Sequence, residues 1–173
     1  SIANTQFSFN EANDYSALFV SSSEFILKNS TLTNNNDNSP HVAPLGFGSG
    51  NNKNYLVLNS IIYHPNHPNR DLYINGGNVS LHNNLFYHYN TSGYNGQVPD
   101  VDSNNIFSIN NPFVDSQNGD YSLVDSSLAI GAGVDSVFFL NSTVYSLAYD
   151  KLNISRPTPI NSNHDIGAYE SIR

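Results

Sequence analysis

Five stretches of the chain align on a single asparagine: Ile2-Ala-Asn4-Thr-Gln-Phe7, Leu27-Lys-Asn29-Ser-Thr-Leu32, Val57-Leu-Asn59-Ser-Ile-Ile62, Leu81-His-Asn83-Asn-Leu-Phe86 and Asp102-Ser-Asn104-Asn-Ile-Phe107. The asparagines are 25, 30, 24 and 21 residues apart. Two positions before the asparagine stands an aliphatic residue, with Asp102 the exception, and three positions after it an apolar residue stands in all five. A repeat of this length is one supersecondary unit that buries its apolar face against its neighbours. Asparagine tolerates the left-handed backbone and bonds to nearby main chain, so each unit reads as strand, tight bend, strand. Further apolar runs precede several units, Ala17-Leu-Phe-Val20 before Phe25-Ile-Leu27 and Asp71-Leu-Tyr-Ile74 before Val79-Ser-Leu81. Three short strands per period describe a parallel β-solenoid whose coils stack about 4.8 Å apart.

The expected fold is therefore all-β: a parallel β-helix of about five coils over residues 1–110, with a C-terminal capping segment over 111–173 of the same domain. Phe7, Leu32, Ile62, Phe86 and Phe107 should form one inward ladder, and the corner asparagines should bond one another along the axis. Composition agrees, since 29 Asn and 24 Ser among 173 residues, with only 12% charged, favour turns over helices. A β-sandwich also recurs in short strands, but it gives no reason for one asparagine in five matched contexts.

Charge and residue usage narrow the partners. Six Lys+Arg against fourteen Asp+Glu leave a net charge of −8, and Lys28, Lys53, Arg70, Lys151, Arg156 and Arg173 are scattered, so nucleic acid is not an expected partner. Without cysteine there is no disulfide or thiolate metal site. No apolar run approaches the roughly 20 residues of a membrane span, so no membrane insertion is expected. The chain begins at Ser1 within what reads as a strand, without a starting methionine or signal peptide. It is expected to be a piece of a longer protein, its first coil stacked on upstream coils or on another protein chain.

Beyond residue 110 the repeat stops. The ordered run Asn111-Pro-Phe-Val-Asp115, Gly119-Asp-Tyr-Ser-Leu123, Ser127-Leu-Ala-Ile-Gly-Ala-Gly133, Arg156-Pro157 and Asp165-Ile-Gly-Ala-Tyr-Glu170 resembles the ending of secreted bacterial right-handed β-helix proteins of the choice-of-anchor Q type. The resemblance covers about residues 101–170, with Leu128 where that family usually has proline and Gly131 where it often has aspartate. It implies a right-handed helix and an extracellular or cell-surface location. Physically, such a tail is expected to cover the open edge of the last coil. Asp120-Tyr-Ser-Leu-Val124 and Asp165-Ile-Gly-Ala-Tyr169 would supply last strands, Gly131 and Gly133 a reversal, and 137–140 with 144–147 a plug or a cover.

Function has to come from sites, because this scaffold serves lyases, adhesins and stalks alike. A polysaccharide lyase, which the fold also resembles, needs basic and acidic groups on one face. Lys28 and His82 share a column, but Leu58 separates them and no arginine joins, so no catalytic residue is assigned. Calcium is the one cofactor with a candidate set: Asp100, Asp102 and Asn104 alternate along a strand, with Asp71 as helper, although the glycine and distal glutamate of an EF-hand are missing. His64-Pro-Asn-His67 matches a zinc pair in spacing alone and reads as a loop. Tyr63 and Tyr87, with His64 and His88 beside them, stack on the outer face as a platform for a polysaccharide or glycan, unless residues 134–149 fold over them. The expected function is a non-catalytic C-terminal β-helix segment of a secreted or cell-surface bacterial protein, a scaffold or adhesion module with carbohydrate contact. The alternatives are the tail of a polysaccharide lyase whose catalytic coils lie upstream, and a purely structural stalk.

Overall fold

The computed structural model describes residues 1–37, 43–48, 52–65, 70–87 and 94–172, among which there is no helix. Four sheets are wholly parallel, three large ones and a pair. The first orders β1 (Ile2–Ala3), β5 (Phe25–Lys28), β9 (Asn54–Leu58), β12 (Asn78–His82) and β15 (Val101–Ser103). The second orders β2 (Gln6–Ser8), β6 (Thr31–Thr33), β10 (Ile61–Tyr63), β13 (Leu85–Phe86) and β16 (Ile106–Phe107). The third orders β4 (Leu18–Val20), β8 (Leu45–Phe47), β11 (Leu72–Ile74) and β14 (Tyr94–Gly96), and β3 (Glu11–Ala12) pairs with β7 (Asn36–Asp37). Visiting the sheets in turn, the chain winds a parallel β-solenoid.

The register reproduces the repeat. Phe7 pairs with Leu32, Leu32 with Ile62, Ile62 with Phe86, and Phe86 with Phe107. Ile2, Leu27, Val57, Leu81 and Asp102 form the column on the other side of the bend. Together with Leu45, Phe47, Leu72 and Ile74 from the third sheet, the apolar members of these two columns line the bore, and Asp102 ends its column exposed. Each fully buried large side chain there contributes roughly 1.5–3 kcal/mol.

Between the first two sheets, Asn4, Asn29, Asn59, Asn83 and Asn104 turn the chain with φ of 49, 47, 46, 51 and 54°. This left-handed geometry costs other L-residues roughly 1–2 kcal/mol, which is why one residue type recurs. The expectation that these asparagines bond one another is corrected. The axial ladder sits one residue later, where Thr5 N–H donates to Ser30 Oγ (3.2 Å), Ser30 N–H to Ser60 Oγ (3.2 Å), Ser60 N–H to Asn84 Oδ1 (2.9 Å) and Asn84 N–H to Asn105 Oδ1 (2.8 Å).

The corner asparagines bond outward instead, to the C-terminal segment. Asn83 Nδ2 donates to Ala132 O (2.9 Å), Asn59 Nδ2 to Val134 O (2.7 Å), Asn29 Nδ2 to Ser146 Oγ (2.9 Å) and Asn4 Nδ2 to Tyr149 O (2.7 Å). Residues 132–149 thus run along the corner against the order of the coils. Two antiparallel hairpins belong to this segment, β17 (Phe113–Asp115) with β18 (Asp120–Leu123) and β19 (Ser136–Phe139) with β20 (Ser142–Tyr145). Neither joins the parallel sheets, so the strands expected at 120–124 and 165–169 do not extend them. Phe138 is 73% exposed and Tyr145 65%, so the 136–145 hairpin does not plug the bore.

A second core forms where Phe113, Tyr121, Leu123, Ala129 and Ile166 cover the outward residues Ile61, Tyr63 and Leu85 of the second sheet. Gly167 permits the closest approach: its N–H donates to Asn59 O (2.9 Å), its φ is 109°, and a Cβ there would lie 2.8 Å from Ile61 Cδ1.

Candidate functional site

The aromatic pair comes together as the repeat requires, but under cover. Tyr63 and Tyr87 meet edge to face with centroids 5.0 Å apart, and Phe113 stands 6.0 Å from Tyr63 at 89°. Tyr63 is 3% exposed, and burial, with Tyr87 and Asp71 adding to it, pushes its phenol up to about 12. The expected exposed sugar platform is corrected for this reason: the outward face of the second sheet is apolar enough to be buried, and Phe113 buries it. The covering residues are those of the second core, not 134–149. Elsewhere Tyr15, half-buried, and Phe19, exposed, stack on each other with centroids 4.1 Å apart beside Gly46.

His64 is buried in the second sheet's polar column. Asn35 Nδ2 donates to Phe7 O (3.0 Å) and to His64 Nε2 (3.2 Å), and His64 Nδ1 lies 3.8 Å from Asp71 Oδ1. Asp71 is thus placed beside His64 rather than as a helper to Asp100. Asp100 Oδ2 accepts from Val79 N–H (2.7 Å), Asp102 Oδ1 accepts from Asn105 Nδ2 (2.6 Å), and Asn104 forms the last corner. Among the described residues, no group of three or more His, Asp and Glu is gathered for a metal ion. His67 and His88 lie outside the described residues.

Lys28, Leu58 and His82 share the expected column. The Lys28 amine, whose pKa burial lowers, donates to Tyr145 O (2.7 Å). Its charge therefore holds the flanking segment.

Sequence reasoning did not anticipate two clusters in the C-terminal segment. In the first, Ser146 Oγ lies 3.0 Å from His164 Nδ1, and His164 Nε2 lies 3.1 Å from Asp135 Oδ1. Hydroxyl, imidazole and carboxylate in series are the order of a nucleophilic triad. Here, however, Ser146 Oγ also meets Asn29 Nδ2 (2.9 Å), Asn29 Oδ1 (3.1 Å) and Asn59 Nδ2 (3.3 Å). A hydroxyl has one donor and two acceptor sites, and the two fully buried asparagines can fill all three, so His164 competes with them for Ser146 Oγ. The series fastens the segment to two corners. Burial lowers the His164 pKa, with Arg156 adding to that shift and Asp135 and Asp165 opposing it.

The second cluster is a buried ion-pair knot. Arg156 Nη1 donates to Glu170 Oε2 (3.0 Å) and Asp165 O (3.1 Å), and Nη2 to Gly167 O (2.9 Å). Asp165 Oδ1 accepts from Gly131 N–H (2.7 Å), and Asp150 Oδ2 from Glu170 N–H (2.9 Å). Burial pushes Glu170 up while Arg156 opposes it, and every carboxylate is spent on main-chain donors or Arg156. The motifs Arg156-Pro157 and Asp165–Glu170 are thus structural: they tie residues 129–172 into one unit.

Compared with family models, curated proteins and solved structures, the chain matches none.

What the described surface offers instead is an edge. β1, β2 and β4 each pair on one side only, and beside them Ile2, Phe7, Leu18 and Val20 are half-buried where their column mates Leu27, Leu32, Leu45 and Phe47 are fully buried.

Proposed function

We propose that the chain is a non-catalytic scaffold segment of a secreted or cell-surface protein. In this reading five right-handed coils over residues 1–110 are buttressed by residues 111–172, and the domain continues through its β1–β2–β4 edge. The observation that carries it is the use made of every repeat position. The inward columns pack the bore, the residue after each bend bonds along the axis, and the corner asparagines hold the flanking segment. Groups able to do chemistry, Lys28 and Ser146 above all, are committed to that flank. The resemblance to secreted right-handed β-helix endings supports the location. The test is incubation of the full chain with uronate polymers while following the unsaturated product of β-elimination. No product is expected; its appearance would place catalytic groups within this chain and overturn the scaffold reading.

A further inference from the structure

The two ends of the parallel stack are unlike. At the β15–β16 end, the column Ile2, Leu27, Val57, Leu81 finishes with Asp102, a carboxylate where four aliphatic residues precede it. Asp102 holds the inward column by register and is exposed there, so a further strand stacked on it would have to desolvate its charge, which disfavours pairing at this edge. At the β1–β2 end the same column finishes with Ile2, and the third sheet with Leu18 and Val20, half-buried against the core, while the partner column ends in a half-buried phenylalanine on both sides, Phe7 here and Phe107 there.

The axial ladder is directional in the same sense. Each rung's N–H after the bend donates to the side-chain oxygen at the same position of the following rung, as Thr5 N–H does to Ser30 Oγ. Thr5 Oγ1, which donates to Ala3 O (2.9 Å), stands at the head of that series with acceptor capacity toward the open end.

From this the geometry points to a one-way interface, which deepens the scaffold reading and rests on it. The β1–β2–β4 edge takes a further parallel rung, with an aliphatic residue two positions before its bend, an apolar residue three after, and a main-chain N–H for Thr5 Oγ1. The stacking seen between the first rungs continues unchanged across it. A second copy stacked head to tail is refused, since Asp102 of one chain would lie against Ile2 of the other at the strand spacing of about 4.8 Å.

The experiment fuses a second copy of residues 1–25 directly before Ser1 of the full chain. This sets the added asparagine 25 residues before Asn4, the spacing that separates Asn4 from Asn29. Amide exchange in β1, β2 and β4 is expected to slow and the melting temperature to rise. Ile2→Asp with Phe7→Asp in the added copy should abolish both effects. Unchanged exchange in β1 and β2, with the remainder of the chain folded, would overturn the proposal. Sedimentation of the unfused chain supplies the other arm: a monomer is expected, and a dimer with protected β1 and β2 amides would mean that the edge takes a second copy, overturning the rung assignment. Elimination products from uronate polymers would sink the scaffold reading while leaving the edge result standing, so the two failures are distinguishable.

Discussion

Asn59 and Val134 exchange two hydrogen bonds: Asn59 Nδ2 donates to Val134 O (2.7 Å) and Val134 N–H donates to Asn59 Oδ1 (3.0 Å). One corner side chain thus fixes the backbone of a segment 75 residues away while its own φ of 46° makes the turn.

Asn59→Ala loses both bonds and the 3.3 Å contact of Nδ2 with Ser146 Oγ, and keeps a left-handed residue that now bears a strained Cβ, a cost of about 2–4 kcal/mol. Asn59→Gly loses the bonds but relieves the backbone, so it should be roughly 1–2 kcal/mol less destabilised than the alanine variant. Denaturant titration of both variants separates the two contributions. Equal losses would mean that the left-handed geometry costs nothing here.

The repeat was legible because its physics is local. A left-handed bend selects asparagine, and apolar residues at fixed distances from it land on the same side of a strand, so the Phe7 to Phe107 ladder follows from spacing alone. What was misplaced depends on partners remote in sequence. The amides of Asn29 and Asn59 were expected to bond each other because nothing in a five-residue window shows that Ser146 and Val134 arrive to take them. The same holds for Tyr63: the alternation correctly turns it outward, but whether Phe113 or Phe138 covers it is decided by a non-repeating segment. Ser30, Ser60 and Asn84, which carry the axial ladder, stand beside the corner asparagines and offer the same chemistry, so composition alone did not separate the two columns.

Phe86 stacks on Phe107 with centroids 5.7 Å apart and is 1% exposed. Phe86→Ala should cost about 3–5 kcal/mol as a core cavity, read from the shift in the urea midpoint. A loss well under 1 kcal/mol would place the ring outside the bore.

Tyr63→Ala should destabilise by a similar amount, about 3–5 kcal/mol, because it empties the centre of the second core. Tyr63→Phe should be nearly neutral, since the hydroxyl makes only a 3.4 Å bond to Ile109 O. Thermal melts of the pair check the packing, and retention of stability by the alanine variant would restore the exposed platform.

Acid should loosen the flank. Burial holds His164 below its ordinary value of 6.5, so the unfolded chain takes up its proton at a higher pH than the folded one. The stability due to its burial is therefore fully present above pH 6.5 and is lost as the pH falls toward the depressed folded value. His164→Gln should flatten the stability profile below pH 6.5, leaving a smaller slope from His82, which burial also lowers. A slope unchanged by the substitution would place the proton uptake elsewhere.

The absence of cysteine allows the in-register parallel stack to be measured directly by engineered disulfides. Asn54 and Asn78 are paired neighbours on β9 and β12, whereas Asn54 and Ser80 are two residues out of step. Parallel neighbours lie about 4.8 Å apart and the offset pair about 8 Å, on either side of the limit near 7 Å for a disulfide. Under mild oxidation, Asn54→Cys with Asn78→Cys should cross-link readily, and Asn54→Cys with Ser80→Cys should not. Preferential cross-linking of the 54–80 pair, or of neither pair in a folded chain, would contradict the stacked register.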